Sequence, residues 1–326
     1  VETVRAVMQK GVGGPEVLGV AQIPRPEPGP DEVLIKVAAA GVNRADLLQR
    51  RGLYPPPQGA SQILGLEVSG QIAGLGADVK GWEALQPVVA LLAGGGYAEY
   101  VAVPAGQCVP PPEGYDLVDA AGLIEVAATV LSNFDLVGLA AGETVLVHGG
   151  AGGIGSFALP YGKALGCQVY TTVGNALKAK VARSLGADLA VDYHGDWAAA
   201  IGQVTGGRGV DVILDIIGAK YLQANVNLLA TGGRLVVIGL QGGNRGQLDL
   251  NRLLTKQATV LATSLRGKTA QVKAGIVQQV AQRVWPLITS GTIRLPGASR
   301  FALEDVAAAH RQIESGDNVG KIVLTL

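Results

Sequence analysis

Apolar runs near 144–148, 168–173, 189–192, 210–216, 234–239 and 258–263 carry little polar alternation, and segments of helical spacing fill most of the gaps between them. Strands with so few polar positions belong in a parallel sheet covered by helices on both faces. Six of them predict a doubly wound, parallel Rossmann sheet, hence an α/β class. Upstream the texture differs. "RPEPGPDEVLIKVAAAGVN", "GLEVSGQIAGLG" and "YAEYVAVPAG" are short strand-like stretches punctuated by Pro and Gly, which predicts a mostly-β domain. Helical spacing appears in "DLVDAAGLIEVAATVLSNFDLVG", and the chain closes on "SRFALEDVAAAHRQIESGDNVGKIVLTL", a helix followed by one strand that the Asn-Val-Gly turn sends back toward the body.

Composition narrows the function classes. With 326 residues, 48% of them hydrophobic and 16% charged, the chain can bury two substantial cores. Lys+Arg and Asp+Glu are both 26, so nucleic acid and anionic membrane surfaces are not expected partners. The two cysteines, Cys108 and Cys167, stand far apart, which excludes a disulfide framework and favours a cytoplasmic setting. The first ten residues, "VETVRAVMQK", lack the apolar core of a signal peptide, and no run reaches the ~18 apolar residues of a membrane span.

The first Rossmann strand runs into "HGGAGGIGS", where Gly150, Gly152 and Gly155 form GxGxxG between a strand and a helix. Glycines there permit a sharp turn and close helix packing. The amides of the opening turn, those of Gly153 and Ile154 included, can then approach a pyrophosphate at the positive helix end. NAD-preferring loops are followed about 20 residues later by an acid for the ribose 2'-hydroxyl. No Asp or Glu occurs between Gly155 and Asp188; the second strand ends in Gly174 and Asn175, and Lys178 follows. A lysine without an acidic competitor suits a 2'-phosphate, and one charge-assisted hydrogen bond is worth ~1.5–3 kcal/mol. NADPH is the expected cofactor.

Taken together, "GVNRADLLQRRGLYPPPQGAS", "ILGLEVSGQI", "LVHGGAGGIG", "LDIIGAKYLQANVNLLATGGRLVVIGLQGG" and "NVGKIVL" span nearly the whole chain. The sequence thereby resembles the zinc-independent quinone oxidoreductases of the medium-chain dehydrogenase/reductase superfamily, especially the p53-inducible quinone oxidoreductase-like branch. The resemblance implies a GroES-like, mostly-β substrate domain from 1–124 and 290–326, a Rossmann NADPH-binding domain over 125–289, and an active site in the cleft between them. It implies a homodimer too, for which the sixth strand, "ATVLATS", offers an exposed edge. Zinc alcohol dehydrogenases place a Cys and a His where this chain has Asn43 and Leu66. The remaining His and Cys residues are scattered, so no metal site is expected. Hydride transfer to an acceptor that disperses charge by conjugation, such as a quinone or activated alkene, fits that lack.

Site residues follow from the same motifs. The resemblance makes Asn43 a nicotinamide-proximal hydrogen-bonding group. It makes Tyr54, in "GLYPPP", a substrate-orienting phenol or, as in related enoyl-thioester reductases, a proton donor. Thr129, Gly174, Asn175, Lys178, Tyr193, Gly239, Leu240, Gln241, Ser264, Arg266 and Asn318 join the glycine loop as cofactor contacts. Asp46 and Glu67 read as structural, as do His148 at a strand end and His310 on a late, surface-like helix. The expected activity is NADPH-dependent, metal-free quinone reduction. One alternative is reduction of enoyl thioesters or enones with Tyr54 as proton donor; another, of a different class, is an NADPH-binding, crystallin-like structural or RNA-binding protein.

Overall fold

A computed structural model describes residues 2–326. Two compact units are present: Val1–Ala128, Leu265–Thr292 and Pro296–Leu326 form the first, and Thr129–Ser264 with Ile293–Leu295 the second. The segment 265–289, expected with the Rossmann domain, therefore packs with the β-rich unit. Its long helix, Ala270–Arg283, buries Val277 and Val280 there.

The second unit is a six-stranded, all-parallel sheet in the order Leu189–Asp192, Gln168–Val173, Thr144–His148, Val210–Asp215, Leu229–Val237, Thr259–Ala262. That order reverses beside the first strand, as a doubly wound fold requires. Central positions such as Leu146, Ile213 and Leu235 are wholly buried, which is why these strands read as continuous apolar runs. Every strand of this sheet points its carboxyl end to one edge. The glycines and polar residues expected at strand ends are gathered there. Thr259–Ala262 lies at the border of the sheet and stays partly exposed.

The first unit holds a seven-stranded sheet. Ser299–Ala302, Ile322–Thr325, Glu32–Val42, Glu67–Leu75, Pro87–Leu91 and Cys108–Val109 follow in spatial order, and Tyr100–Pro104 pairs with Glu32–Val42. The last strand pairs antiparallel with Glu32–Val42, setting Ile322 opposite Val42. Val33, Ile35, Val37, Val68, Ile72 and Tyr97 pack its core against Leu303, Val306 and Ala309 of the carboxyl-terminal segment. Among the described residues, no helix is long and apolar enough to cross a membrane.

Candidate active site

In the second unit, the chain turns sharply after His148 through Gly149, whose φ of +77° is a glycine conformation. Gly149 and Gly150 donate their N–H groups to the Thr172 carbonyl at 3.0 and 3.1 Å, tying the turn to the next strand. A Cβ on Gly150 would lie 2.2 Å from Thr171 Oγ1, and one on Gly155 2.3 Å from the Gly149 carbonyl oxygen. At Gly152 the nearest atom to such a Cβ is 3.5 Å away. Two of the glycines are thus demanded by packing, whereas a methyl group at the third would make only ordinary contact. Gly152 also precedes the Gly153–Ala164 helix, and no side chain caps it. The first amides of that helix, at Gly153, Ile154 and Gly155, face the positive end of an uncapped helix.

The next strand end carries the expected polar pair. Asn175 caps the Ala176–Ser184 helix by accepting the Lys178 backbone N–H at 2.9 Å. Lys178 is half-buried, and Tyr193, exposed at the end of the neighbouring strand, stands so close that a Cβ on Gly174 would be 2.7 Å from its hydroxyl. Gly239, Leu240 and Gln241 follow Leu229–Val237 at the same sheet edge. The Gln241 N–H donates to the Ile216 carbonyl at 3.2 Å, and Leu240 is exposed. Ser264 is exposed just beyond the border strand. Thr129 is buried, its carbonyl accepting from Asn133 Nδ2 at 2.7 Å. His148 is fully buried between Thr172 Oγ1 at 2.9 Å and Asn225 Oδ1 at 2.7 Å. Burial pushes its pKa down to about 4, so it is a neutral structural group at pH 7.

The other expected residues lie in the first unit. Asn43 is the N-cap of the Arg44–Arg50 helix, and its backbone N–H is accepted by Asp46 at 2.8 Å. Its amide is held from both ends. Nδ2 donates to Glu67 Oε1 at 3.0 Å, while Oδ1 accepts from Lys321 Nζ at 2.5 Å. Glu67 is fully buried and saturated: Oε1 also meets Lys321 Nζ at 2.9 Å, and Oε2 accepts the Glu125 N–H at 2.9 Å. Only glycine fits at residue 41, where a Cβ would be 2.1 Å from Glu67 Oε1. Leu66, beside Glu67, is buried, and no group of three His, Cys, Asp or Glu side chains with metal-holding geometry occurs among the described residues.

Behind this cluster runs a buried polar chain. Asp46 accepts from the Gly65 N–H and the Tyr97 hydroxyl, each at 3.0 Å, and Tyr97 Oη lies 3.1 Å from His310 Nε2. His310 Nδ1 is 2.9 Å from Arg50 NH1. Arginine only donates, so Nδ1 is the acceptor, Nε2 carries the proton toward Tyr97, and Tyr97 donates onward to Asp46. Burial, with Arg50 close by, depresses His310 to about 3, whereas burial lifts Asp46 to about 6 against its three donors. The sequence suggests a surface-like place for His310. It is instead wholly enclosed, because its helix lays Val306, Ala309, His310 and Ile313 against the sheet.

Tyr54 sits half-buried in a loop, with the Arg266 guanidinium carbon 5.3 Å from its ring centre. Arg266 donates to Gln49 Oε1 at 2.6 Å, the Ala93 carbonyl at 2.9 Å and the Tyr54 carbonyl at 3.5 Å. Within the first unit Arg266 thus packs on Tyr54. Asn318 likewise lies in the first unit and donates to the Gly320 carbonyl at 3.1 Å. Gln49, Tyr97 and Lys321 escape a reading of the sequence. Lys321 has a readable signal even so, since a cation in the "NVGKIVL" turn precedes a strand destined for the core.

Residues 29–113 match the family described as the alcohol dehydrogenase GroES-like domain, and 153–282 match the zinc-binding dehydrogenase family. The quinone oxidoreductase of Pseudomonas aeruginosa is 33% identical over 319 residues, covering 96% of each chain. A phenolphthiocerol/phthiocerol polyketide synthase of Mycobacterium tuberculosis is 30% identical over 317 residues; these are 95% of this chain, which spans only 14% of that much longer protein. Among solved structures, a mycobacterial protein complexed with NADPH superposes with a TM-score of 0.91 at 32% identity, covering 99% of this chain and 100% of the other. The CurK enoyl reductase superposes with a TM-score of 0.88 at 25% identity, covering 99% of each.

Proposed function

Since the chain belongs to the zinc-independent quinone oxidoreductase family of the medium-chain dehydrogenase/reductase superfamily, we propose that it is an NADPH-dependent reductase of quinones. The observation that carries this reading is the cradle at the carboxyl edge of the parallel sheet. Gly152, where a methyl group would make only ordinary contact, precedes an uncapped helix end, and Lys178, not an acid, stands at the next strand end. The glycine turn with the amides of Gly153 to Gly155 would hold the pyrophosphate, Lys178 and the Asn175 turn the 2'-phosphate, and Tyr193 the adenosine end. Gly239 to Gln241, Thr129 and Ser264 are assigned to the remaining cofactor contacts.

When bound, the reduced nicotinamide supplies the hydride. The chain's own contribution is to bind, to orient and to stabilise charge. Tyr54, braced by Arg266, offers a phenolic O–H to an acceptor oxygen that gains negative charge. Asn43, clamped by Glu67 and Lys321, keeps one fixed orientation and so needs no reorganisation during reaction. The test is NADPH consumption with a panel of ortho-quinones, para-quinones and enoyl thioesters, with product analysis. Absence of turnover with every acceptor would sink the reading.

A second reading is favoured by the structural likeness to an enoyl reductase. In it, Tyr54 gives its proton to the carbon opposite the one that receives hydride. Tyr54→Phe separates the two. Quinone reduction should fall modestly, by several-fold, whereas alkene reduction through a phenolic proton should fall by 100-fold or more, in line with the ~10²–10⁴ that general acid catalysis contributes. For assembly, the partly exposed border strand Thr259–Ala262 and the exposed Leu250 and Leu254 on the helix before it support a homodimer, to be checked by light scattering.

A further inference from the structure

Asp215 stands at the carboxyl edge of the parallel sheet in the second unit and belongs to none of the assigned cofactor contacts. It ends the strand Val210–Asp215 and is wholly enclosed. One carboxylate oxygen accepts the Ile217 N–H at 2.9 Å and the other the Gly218 N–H at 2.8 Å, so the side chain holds the turn that follows its own strand. Burial pushes its pKa above the ordinary 3.8, while these two donors pull the other way. An apolar side chain there would leave both N–H groups without their acceptor.

That turn is laced to the loop after the neighbouring strand, Leu229–Val237. Ile238 donates its N–H to the Asp215 carbonyl at 2.8 Å, Gln241 to that of Ile216 at 3.2 Å and Gly242 to that of Ile217 at 2.7 Å; in return Ala219 donates to Gly243 at 3.0 Å and Lys220 to Gly242 at 3.2 Å. The two loops also approach too closely for side chains at their glycines. A Cβ on Gly239 would lie 2.8 Å from the Ile216 carbonyl oxygen. One on Gly218, whose φ is +79°, would lie 2.7 Å from the Gly243 carbonyl oxygen and 2.9 Å from Leu240 Cδ2. The Leu240 side chain therefore lies against Gly218, and it is exposed on its other side. Whatever fixes residues 216–218 thus fixes 239–243. Resting on the reading that Gly239 to Gln241 contact the cofactor near its nicotinamide, we propose that Asp215 is a positioning residue for hydride transfer, acting through the laced loops to set where Leu240 stands against the nicotinamide ring.

Two variants test this from opposite sides. Asp215→Asn keeps the volume but turns an amide NH2 toward one of the two N–H groups, whereas Gly218→Ala keeps the carboxylate and drives a methyl group onto Leu240. Both should lower kcat with NADPH about 10- to 100-fold, in line with the ~10²-fold that a displacement of ~1 Å can cost. Both should also weaken the rise in nicotinamide emission that accompanies the holding of the ring when NADPH binds. Adenosine 2',5'-bisphosphate reaches only the end assigned to Lys178, so its Kd should stay within about twofold of the parent's in each variant, as expected of uncoupled sites. Gly218→Ala carries the test if Asp215→Asn does not fold. A purely structural role predicts a lowered Tm with kcat and emission per folded molecule unchanged, and that result overturns the proposal. Equal losses of NADPH and bisphosphate affinity overturn it as well, since the second unit would then be disturbed as a whole. Absence of turnover in the unaltered protein with every acceptor strikes the quinone-reductase reading instead, and the emission and Kd measurements still decide the role of Asp215.

Discussion

A single side chain decides cofactor choice in the proposed reading, and its neighbours set how sharply it can be tested. Lys178 presents its backbone N–H to Asn175, so the helix turn bearing it stays fixed whatever the side chain. Lys178→Ala should therefore raise the KM for NADPH about 10- to 100-fold and leave that for NADH within a few-fold. Equal effects on both, measured by initial rates, would remove the 2'-phosphate assignment. Lys321 poses the complementary case, a cation whose loss harms the fold. Its ammonium joins Glu67 and Asn43, and Glu67 is wholly enclosed. Lys321→Met strands that carboxylate and should lower stability by about 3 kcal/mol in urea unfolding, since breaking a buried pair typically costs ~3–5 kcal/mol. No change would mean that the stranded carboxylate finds water or a proton at little cost.

At the scale of elements, the glycine turn separates packing from binding. Gly150→Ala and Gly155→Ala drive a methyl group against Thr171 and against the Gly149 carbonyl, so both should lower the Tm by several degrees. Gly152→Ala meets nothing closer than 3.5 Å and has a φ of −77° that alanine adopts freely. Its Tm should hold while NADPH affinity, read by fluorescence titration, falls at least tenfold. Retained affinity would place the cofactor elsewhere. These elements are largely legible in the sequence, because parallel strands buried on both faces are marked by uninterrupted apolar runs. The apolar pattern starts the fifth strand near 234, yet it begins at Leu229, which pairs with Val210; the register breaks over 230–233, where Thr231, Gly232 and Gly233 interrupt the apolar run, and regular pairing resumes at Arg234 opposite Val212. The Lys321, Asn43 and Glu67 cluster is not legible, since it depends on antiparallel pairing that sets Ile322 opposite Val42, from the two ends of the chain. Nor does any sequence signal mark the packing of Leu265–Thr292 on the β-rich unit, where Arg266 reaches Tyr54 and Gln49.

Across the whole molecule the buried titrating groups predict an asymmetric response to acid. His148 and His310, one in each unit, are held neutral by burial, at about 4 and about 3 against an ordinary 6.5. Their contribution to stability is complete above pH 6.5 and is lost as pH falls, because the unfolded chain takes up protons that the native state refuses. Asp46 acts in the opposite sense. Burial lifts it from 3.8 to about 6, so the native state binds a proton that the unfolded chain releases, and this term weakens stability as pH rises from about 4 to about 6. Between pH 6 and pH 4 the two histidines favour the unfolded state, whereas Asp46 and, by the same effect of burial, Asp215 favour the native one. The histidine protons are taken up over the upper part of this window, so stability should fall most steeply between about pH 6.5 and pH 5. Carboxylates held low in the native state, such as Glu143 through its hydrogen bond with Arg234, add to the loss only near and below their unfolded range at about pH 4.5. Urea unfolding at pH 6, 5 and 4 measures the slope. His148→Gln removes one of the two refusing groups, so its loss of stability over this window should be smaller than the parent's. A variant that loses as much as the parent would show that the enclosed His148 accepts its proton in the native state.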